Sequence, residues 1–377
     1  MRIQRVVGIT PFVAMLGLSA CRMDDVVSPS PFQGAGIAAS ASLLPIDVLG
    51  SNHAPPGQAC KAPGYRQFDF WVGKWDVFGP AGGLAGTNIV NSQLGGCVVE
   101  ENWTGAGIGR GRSLNVYDAA TNMWSQMWVA SSGCPNAVII IEGKFENGSM
   151  TMRGRKEQPL GFLFAPPCSA PPPFVVFARN NLIRWTALES GSVLQQFTAS
   201  NDNAPLPEPP PVSSGVGLRY DRVNAVTPLN PADPSFCPSR AAAHQFDFML
   251  GSWNVHQGNG NGVQGTATFS TDMQGCLVEE RVTGPGGYEG WSFNTFDVFT
   301  QKWHRTYVDT DGVRLLLDGG LVDGSMVLTG AKQGSSSVHV RVSWIPDGVD
   351  RVVQRWEYSR DGGTSWTNAR ELVYTRV

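Results

Sequence analysis

Glu101 and Glu280 are the residues of this chain best placed to do chemistry. In GCVVEENWTG and GCLVEERVTG they alternate with Val99 and Trp103, and with Val278 and Val282, which puts each carboxylate on the apolar face of a strand. A carboxylate in such a place needs a cation or hydrogen-bond donors, or it keeps its proton to an unusually high pH. Arg305 and Arg341 are candidate partners for Glu280, and Arg184 for Glu101. Two roles are open: a polar anchor in a ligand cavity, or half of a structural ion pair. Glu100 and Glu279 fall on the opposite face and are expected to be solvated. The following segments carry Asn115 and Asn294 in an SxN pattern, then Trp124 and Trp303, and four residues on Trp128 and Tyr307. These could wall a cavity for a flat or hydrophobic ligand, or pack as ordinary core.

All these residues come in pairs because the chain says the same thing twice. FDFWVGKWDV at Phe68 returns as FDFMLGSWNV at Phe246, an offset of 178, and the cysteines Cys97 and Cys276 are offset by 179. A period this long is a domain, not a solenoid unit. Within the second copy, short runs alternate between apolar and polar residues and are split by Asp-Gly, Gly-Gly and Ser-Gly turns. VHVRVSW, for example, places Val338, Val340, Val342 and Trp344 on one face. About ten strands without intervening helical patterns imply an antiparallel meander, and closure into an up-and-down barrel removes its exposed edges. The expected fold is therefore all-β: two tandem antiparallel barrels of about ten strands, at 60–223 and 237–377, joined by a Pro-rich linker at 224–236. The first copy also carries a Pro-rich insertion within Gln158–Pro173, and Pro205–Pro211 replaces a hairpin of the second. These additions make the second copy the expected better binder.

Gly73-x-Trp75 and Gly251-x-Trp253, each opening a first strand, resemble the GxW signature of lipocalins and related calycin barrels. The resemblance implies a basic residue of the last strand packed across each tryptophan, for which Arg222 and Arg376 are the matching residues. The ordered set FDFxxGxW, GCxxEE, SxNxxD and GSM is similar to an uncharacterised bacterial lipocalin-like domain family of unknown function. It covers nearly all of both copies. Ser359-x-Asp361-x-Gly363-x-x-Trp366 resembles the Asp-box of sialidases, a structural hairpin in which Asp caps the turn and Trp packs beneath it.

Other enzymatic constellations are missing from the sequence. There is no GxSxG, HExxH or phosphate-binding glycine loop, and His53, His244, His256, His304 and His339 have no counterparts between copies. Haem-binding barrels of related fold use one axial histidine. His304 or His339 could serve in the second copy, but the first offers no equivalent, so no cofactor, no metal and no catalytic residue is expected.

The N-terminus reads as an address. Arg2 and Arg5 precede an apolar run from Val6 to Leu18, too short to span a bilayer, so residues 1–20 read as a signal peptide. Leu18-Ser19-Ala20-Cys21 resembles a bacterial lipobox, which implies lipidation of Cys21, and Arg22 after it favours the outer membrane. Residues 21–59, rich in Ser, Pro, Ala and Gly, read as a flexible tether. Removing residues 1–20 moves the formal charge from −3 to −5, which gives no reason to expect nucleic acid. Matching positions in the copies suggest disulfides Cys60–Cys97 and Cys237–Cys276, leaving Cys134–Cys168. Each of the first two would contribute about 3–4 kcal/mol, and an oxidising periplasm permits all three. The expected function is binding of a small apolar or amphipathic molecule by an envelope lipoprotein. The alternatives are a scaffold with filled barrels and an unidentified protein partner, or an enzyme using an interior glutamate as general base.

Overall fold

Twenty strands, ten from each copy of the repeat, close two antiparallel barrels in which every strand pairs with its neighbours in sequence and the last returns to the first. The computed structural model describes residues 58–377 except 108, 132–137, 155–178, 202–204, 233–240, 259–261, 298–299, 333–334 and 336. The expected signal peptide, Cys21 and nearly all of the tether lie outside the described residues. The first barrel comprises β1 (Gly73–Phe78), β2 (Leu84–Gln93), β3 (Val98–Gly105), β4 (Arg110–Asp118), β5 (Met123–Ala130), β6 (Val138–Glu146), β7 (Ser149–Gly154), β8 (Arg179–Ala187), β9 (Val193–Asn201) and β10 (Leu218–Arg222). The second comprises β11 (Gly251–Gln257), β12 (Val263–Asp272), β13 (Leu277–Thr283), β14 (Glu289–Asp297), β15 (Lys302–Asp309), β16 (Arg314–Val322), β17 (Ser325–Ala331), β18 (His339–Pro346), β19 (Arg351–Ser359) and β20 (Thr367–Arg376). The alternation that announced the strands also sorts their faces: Val340, Val342 and Trp344 of β18 are all buried in the barrel core.

The seam of each barrel is held by the GxW tryptophan. Trp75 of β1 stands opposite Arg222 of β10, whose guanidinium lies 4.2 Å from the indole centroid, and Trp253 and Arg376 repeat that geometry at 4.2 Å. Both indoles are fully buried, and each donates its N–H to a backbone carbonyl, Trp71 O at 2.9 Å and Met249 O at 2.7 Å. The glycine of the motif has a steric reason. Gly73 and Gly251 sit at φ of +153° and +118°, and a Cβ there would meet the arginine Nη1 at 2.3 and 2.7 Å.

Below the seam, the FDF segments plug one end of each barrel. A short 3-10 turn, Asp69–Trp71 or Asp247–Met249, drives Phe68 or Phe246 into the core. Phe68 packs edge-on against Trp124 and Trp185, and Phe246 against Trp303 and Trp344. The Trp124 and Trp303 N–H groups each donate 3.1 Å to the glutamine preceding the plug, Gln67 and Gln245. The Cys60–Cys97 disulfide ties the first plug to the start of β3. Cys276 is also disulfide-bonded, while Cys237, Cys134 and Cys168 lie outside the described residues.

The barrels are joined side to side through one buried patch. Leu114 and Val116 on the outer face of β4 share a continuous apolar cluster with Trp291 and Phe293 of β14 and Val308 of β15. Arg112 crosses this patch 4.8 Å over the Phe293 ring and pairs with Glu100 at 2.7 Å, Asp272 at 2.7 Å and Glu279 at 2.6 Å. This corrects the expectation that Glu100 and Glu279 are solvated: they do face outward, but the outer faces of these strands are covered by the other barrel. A second arginine, Arg314 of β16, reaches back to Asp118 at 3.1 Å and to Ser125.

Removing one partner of a buried ion network costs several kcal/mol because the remaining charge is stranded. Arg112→Met should therefore lower unfolding stability by about 3 kcal/mol in urea denaturation. The triple variant with Glu100→Gln and Glu279→Gln should recover more than half of that loss.

Candidate functional site

Towards the end opposite its plug, the first barrel holds a cavity of about 190 Å³. Trp103, Trp128, Ile139, Ile183, Phe197 and Leu218 supply its apolar wall, and Glu101, Gln126, Gln195 and Tyr220 its polar groups. An empty space of about 150 Å³ admits a benzene-sized molecule, so this one takes a body of about one ring.

Glu101 is the centre of the site. Its Oε1 accepts from Asn88 Nδ2 at 2.7 Å and its Oε2 from Ser113 Oγ at 2.9 Å. Asn115 donates to Ser113 Oγ at 3.0 Å, and Gln126 donates to Asn115 Oδ1 at 2.8 Å. Strand register builds this array, since Glu101 stands beside Ser113, and Asn115 beside Gln126, on three successive strands. No arginine or lysine lines the cavity among the described residues. Burial therefore pushes the Glu101 carboxyl up to about 7, and its two hydrogen bonds counter that only in part. Tyr220, whose hydroxyl donates to Gln195 at 2.7 Å, is pushed well above the ordinary tyrosine range by burial, with the Glu101 charge adding to it.

The second barrel answers the same problem differently. Glu280 lies at the matching position, but Arg305 replaces Gln126 on the neighbouring register. Arg305 Nη2 donates to Glu280 at 2.5 Å, while Nη1 donates to Ser292 Oγ at 2.7 Å and Asn294 Oδ1 at 2.9 Å. The guanidinium lies between the Tyr307 and Trp344 rings, at 5.2 and 5.0 Å. Towards the mouth, the buried Tyr288 hydroxyl meets that of Tyr307 and donates to Asp309 at 3.2 Å. The corresponding turn of the first barrel carries Gly109: Gly105 N–H bonds Gly109 O as Gly284 N–H bonds Tyr288 O, both at 2.9 Å. Trp356, 2% exposed, likewise stands where the first barrel has Phe197 at 39%. Arg305, Tyr288 and Trp356 thus put larger buried side chains where the first barrel has Gln126, Gly109 and Phe197.

The expected site residues divide accordingly. Glu101, Asn115 and Trp128 come together at the cavity of the first barrel, with Asn115 acting through its hydrogen bonds; Glu280, Asn294, Arg305 and Tyr307 come together around the buried Arg305 guanidinium of the second. Trp124 and Trp303 lie beneath the plugs, away from the mouths. Arg341 does not reach Glu280. It points outward to Glu357 at 2.7 and 2.8 Å and covers Trp366 at 4.3 Å, below the Asp361 turn. Arg184 does not reach Glu101 either: it points outward and holds Gln196 and the Pro210 carbonyl, 2.6 Å away, which pins the Pro-rich segment to the wall. In both cases the residue lies on the outward parity of its strand.

Asn88, Ser113, Gln126, Gln195 and Tyr220 escaped the sequence reading. Gln126 was nevertheless findable, as the uncharged residue opposite Arg305 in the repeat. His304 turns outward between Arg305 and Trp303, and its Nδ1 meets Asp318 at 2.6 Å. Burial opposes its protonation, yet the Asp297 and Asp318 carboxylates, accepting hydrogen bonds from the ring, outweigh that and raise its pKa. Among the described residues, no cluster of three or more His, Cys, Asp or Glu side chains could hold a metal, and no helix is long and apolar enough to cross a membrane.

No protein-family model and no curated protein matches the chain. Among solved structures, it is similar to a Nostoc punctiforme protein described as of unknown function from the DUF3598 family. That match has 14% identity and a TM-score of 0.22, over 83% of this chain and 98% of the other. At that score the likeness carries no argument, and the two closed barrels rest on their own strand register.

A carboxyl raised from 4.5 to about 7 by burial favours the folded state while it is neutral and loses that contribution as pH rises through 7. Glu101→Gln, which cannot ionise, should therefore be more stable than the parent at pH 8.5, by up to about 3 kcal/mol. The gap should close toward pH 4.5, as read by urea denaturation across the range.

Proposed function

We propose that this protein binds a small ligand in its first barrel and that the second barrel is a filled structural companion. The observation that carries this reading is the contrast between equivalent interiors. One glutamate is neutralised by an internal arginine; the other faces a cavity with hydrogen-bond donors and no counter-charge. Retaining a buried, uncompensated carboxyl is costly for stability alone, and such groups concentrate at sites of function. The aromatic walls Trp103 and Trp128 and the polar base give the cavity an amphipathic lining. The ligand is accordingly a compact molecule with an apolar body of about one ring and one polar end.

Native mass spectrometry of the whole chain, before and after organic extraction, tests this. The expected result is a removable extra mass, absent from an Ile183→Trp variant whose indole would fill the cavity. A bare mass in repeated preparations, with no uptake of any small aromatic probe, would sink the reading and leave scaffolding in its place.

We further propose that the chain is a lipoprotein anchored at Cys21, with its barrels in the periplasm at the outer membrane. The basic-then-apolar leader and the Leu18–Cys21 sequence support it, as does the oxidised Cys60–Cys97 pair, which a reducing cytosol disfavours. Cys21→Ala should move the protein from the membrane fraction to the soluble envelope fraction.

A further inference from the structure

We infer that the ligand of the first barrel is a small organic cation, an aromatic or aliphatic amine or amidine whose charged end sits against Glu101. This rests on the binding reading above and specifies its ligand class. The second barrel supplies the template. There, a guanidinium spans the Ser–Asn–Glu array: Nη1 takes Ser292 and Asn294, and Nη2 takes Glu280. In the first barrel, Gln126 Nε2 reproduces only the Nη1 half, donating to Asn115 at 2.8 Å and to Ser113 at 3.4 Å. The shorter side chain has no counterpart of Nη2. Asn88, which stands where the second barrel has Ala267, gives Glu101 a neutral N–H donor at 2.7 Å; the positive charge has no counterpart, and the cavity lies beside that carboxylate.

The surroundings favour the same charge. Arg305 lies over the Tyr307 ring, and the matching residue of the first barrel, Trp128, lines the cavity. An indole face attracts a cation more strongly than a phenol does. An anionic ligand would meet no arginine or lysine among the described cavity residues and would face Glu101 with like charge. A neutral apolar ligand would leave the carboxylate with two neutral donors and no counter-charge in a space it had just dried. Tyr220, the other titratable side chain lining the cavity, stays uncharged because burial raises its hydroxyl, so a ligand cation and Glu101 form a neutral pair.

Three probes of one shape and different charge separate the possibilities: benzylamine, benzyl alcohol and benzoate, titrated calorimetrically into the whole chain at pH 8. Benzylamine should bind at least tenfold more tightly than either of the others, and Glu101→Gln should abolish that preference. Gln126→Arg, which restores the arrangement of the second barrel, should remove binding of all three while the protein stays folded. Benzyl alcohol or benzoate binding as tightly as benzylamine to the parent protein would overturn the cation inference and leave a ligand-binding barrel standing. Binding of none of the three at millimolar concentration would overturn it together with the binding reading.

Discussion

Closing a ten-strand sheet leaves one seam, between its first and last strands, and everything else in these barrels depends on that seam holding. A meander that stayed open would expose two rows of unpaired backbone groups and the inward faces of its strands. Here the seam is locked by a buried indole and a guanidinium stacked across the joint, with Trp75 on Arg222 and Trp253 on Arg376. Each such contact is worth about 0.5–2 kcal/mol, and the same arginines also donate to carbonyls of the plug, Val72 O and Leu250 O. One residue therefore fastens the last strand, the first strand and the plug. The glycine before each tryptophan is the room that residue needs.

With both barrels closed from the same end, their interiors are free to diverge. The hydrogen-bonding array is duplicated: a glutamate, a serine and an asparagine occupy equivalent positions in each. What differs is the residue that faces it from the next strand. Arginine gives a neutral ion pair; glutamine leaves a carboxyl pushed up to about 7 beside a cavity. The change at the mouth runs in the same direction, with tyrosine in one turn and glycine in the other. Under the proposed binding reading, one copy of the duplicated domain keeps the stable interior while the other gives up stability for a site.

The joint between the barrels uses the same residues differently. Arg112 bridges Glu100 and Glu279, which are equivalent positions of the two copies, so a single arginine from one barrel pairs with both, and Arg281 adds a second cation on Glu279. The surrounding patch of Leu114, Val116, Trp291 and Phe293 explains why β4 and β14 are buried on both faces. Strands covered on both sides lose the apolar–polar alternation that would otherwise report their orientation.

The sequence by itself determined what depends on local periodicity and on repetition. Alternation with glycine turns is enough to specify strands, two copies in register are enough to specify two barrels, and GxW with a terminal arginine marks the seam, because each of these is set by neighbours along the chain or one strand away. Glu101 and Glu280 were legible as interior carboxylates from Val99, Trp103, Val278 and Val282 alone. Their partners were not. Arg184 and Arg341 are as near in sequence pattern as Arg305, and only the parity of their strands sends them outward. Whether Glu100 and Glu279 met water depended on a surface contributed by the other copy, which no local pattern encodes. The cavity was decided last and only in three dimensions. It is the space left when the side chains of ten strands and one plug meet, and replacements such as Gln126 for Arg305 and Phe197 for Trp356 decide how much of it remains.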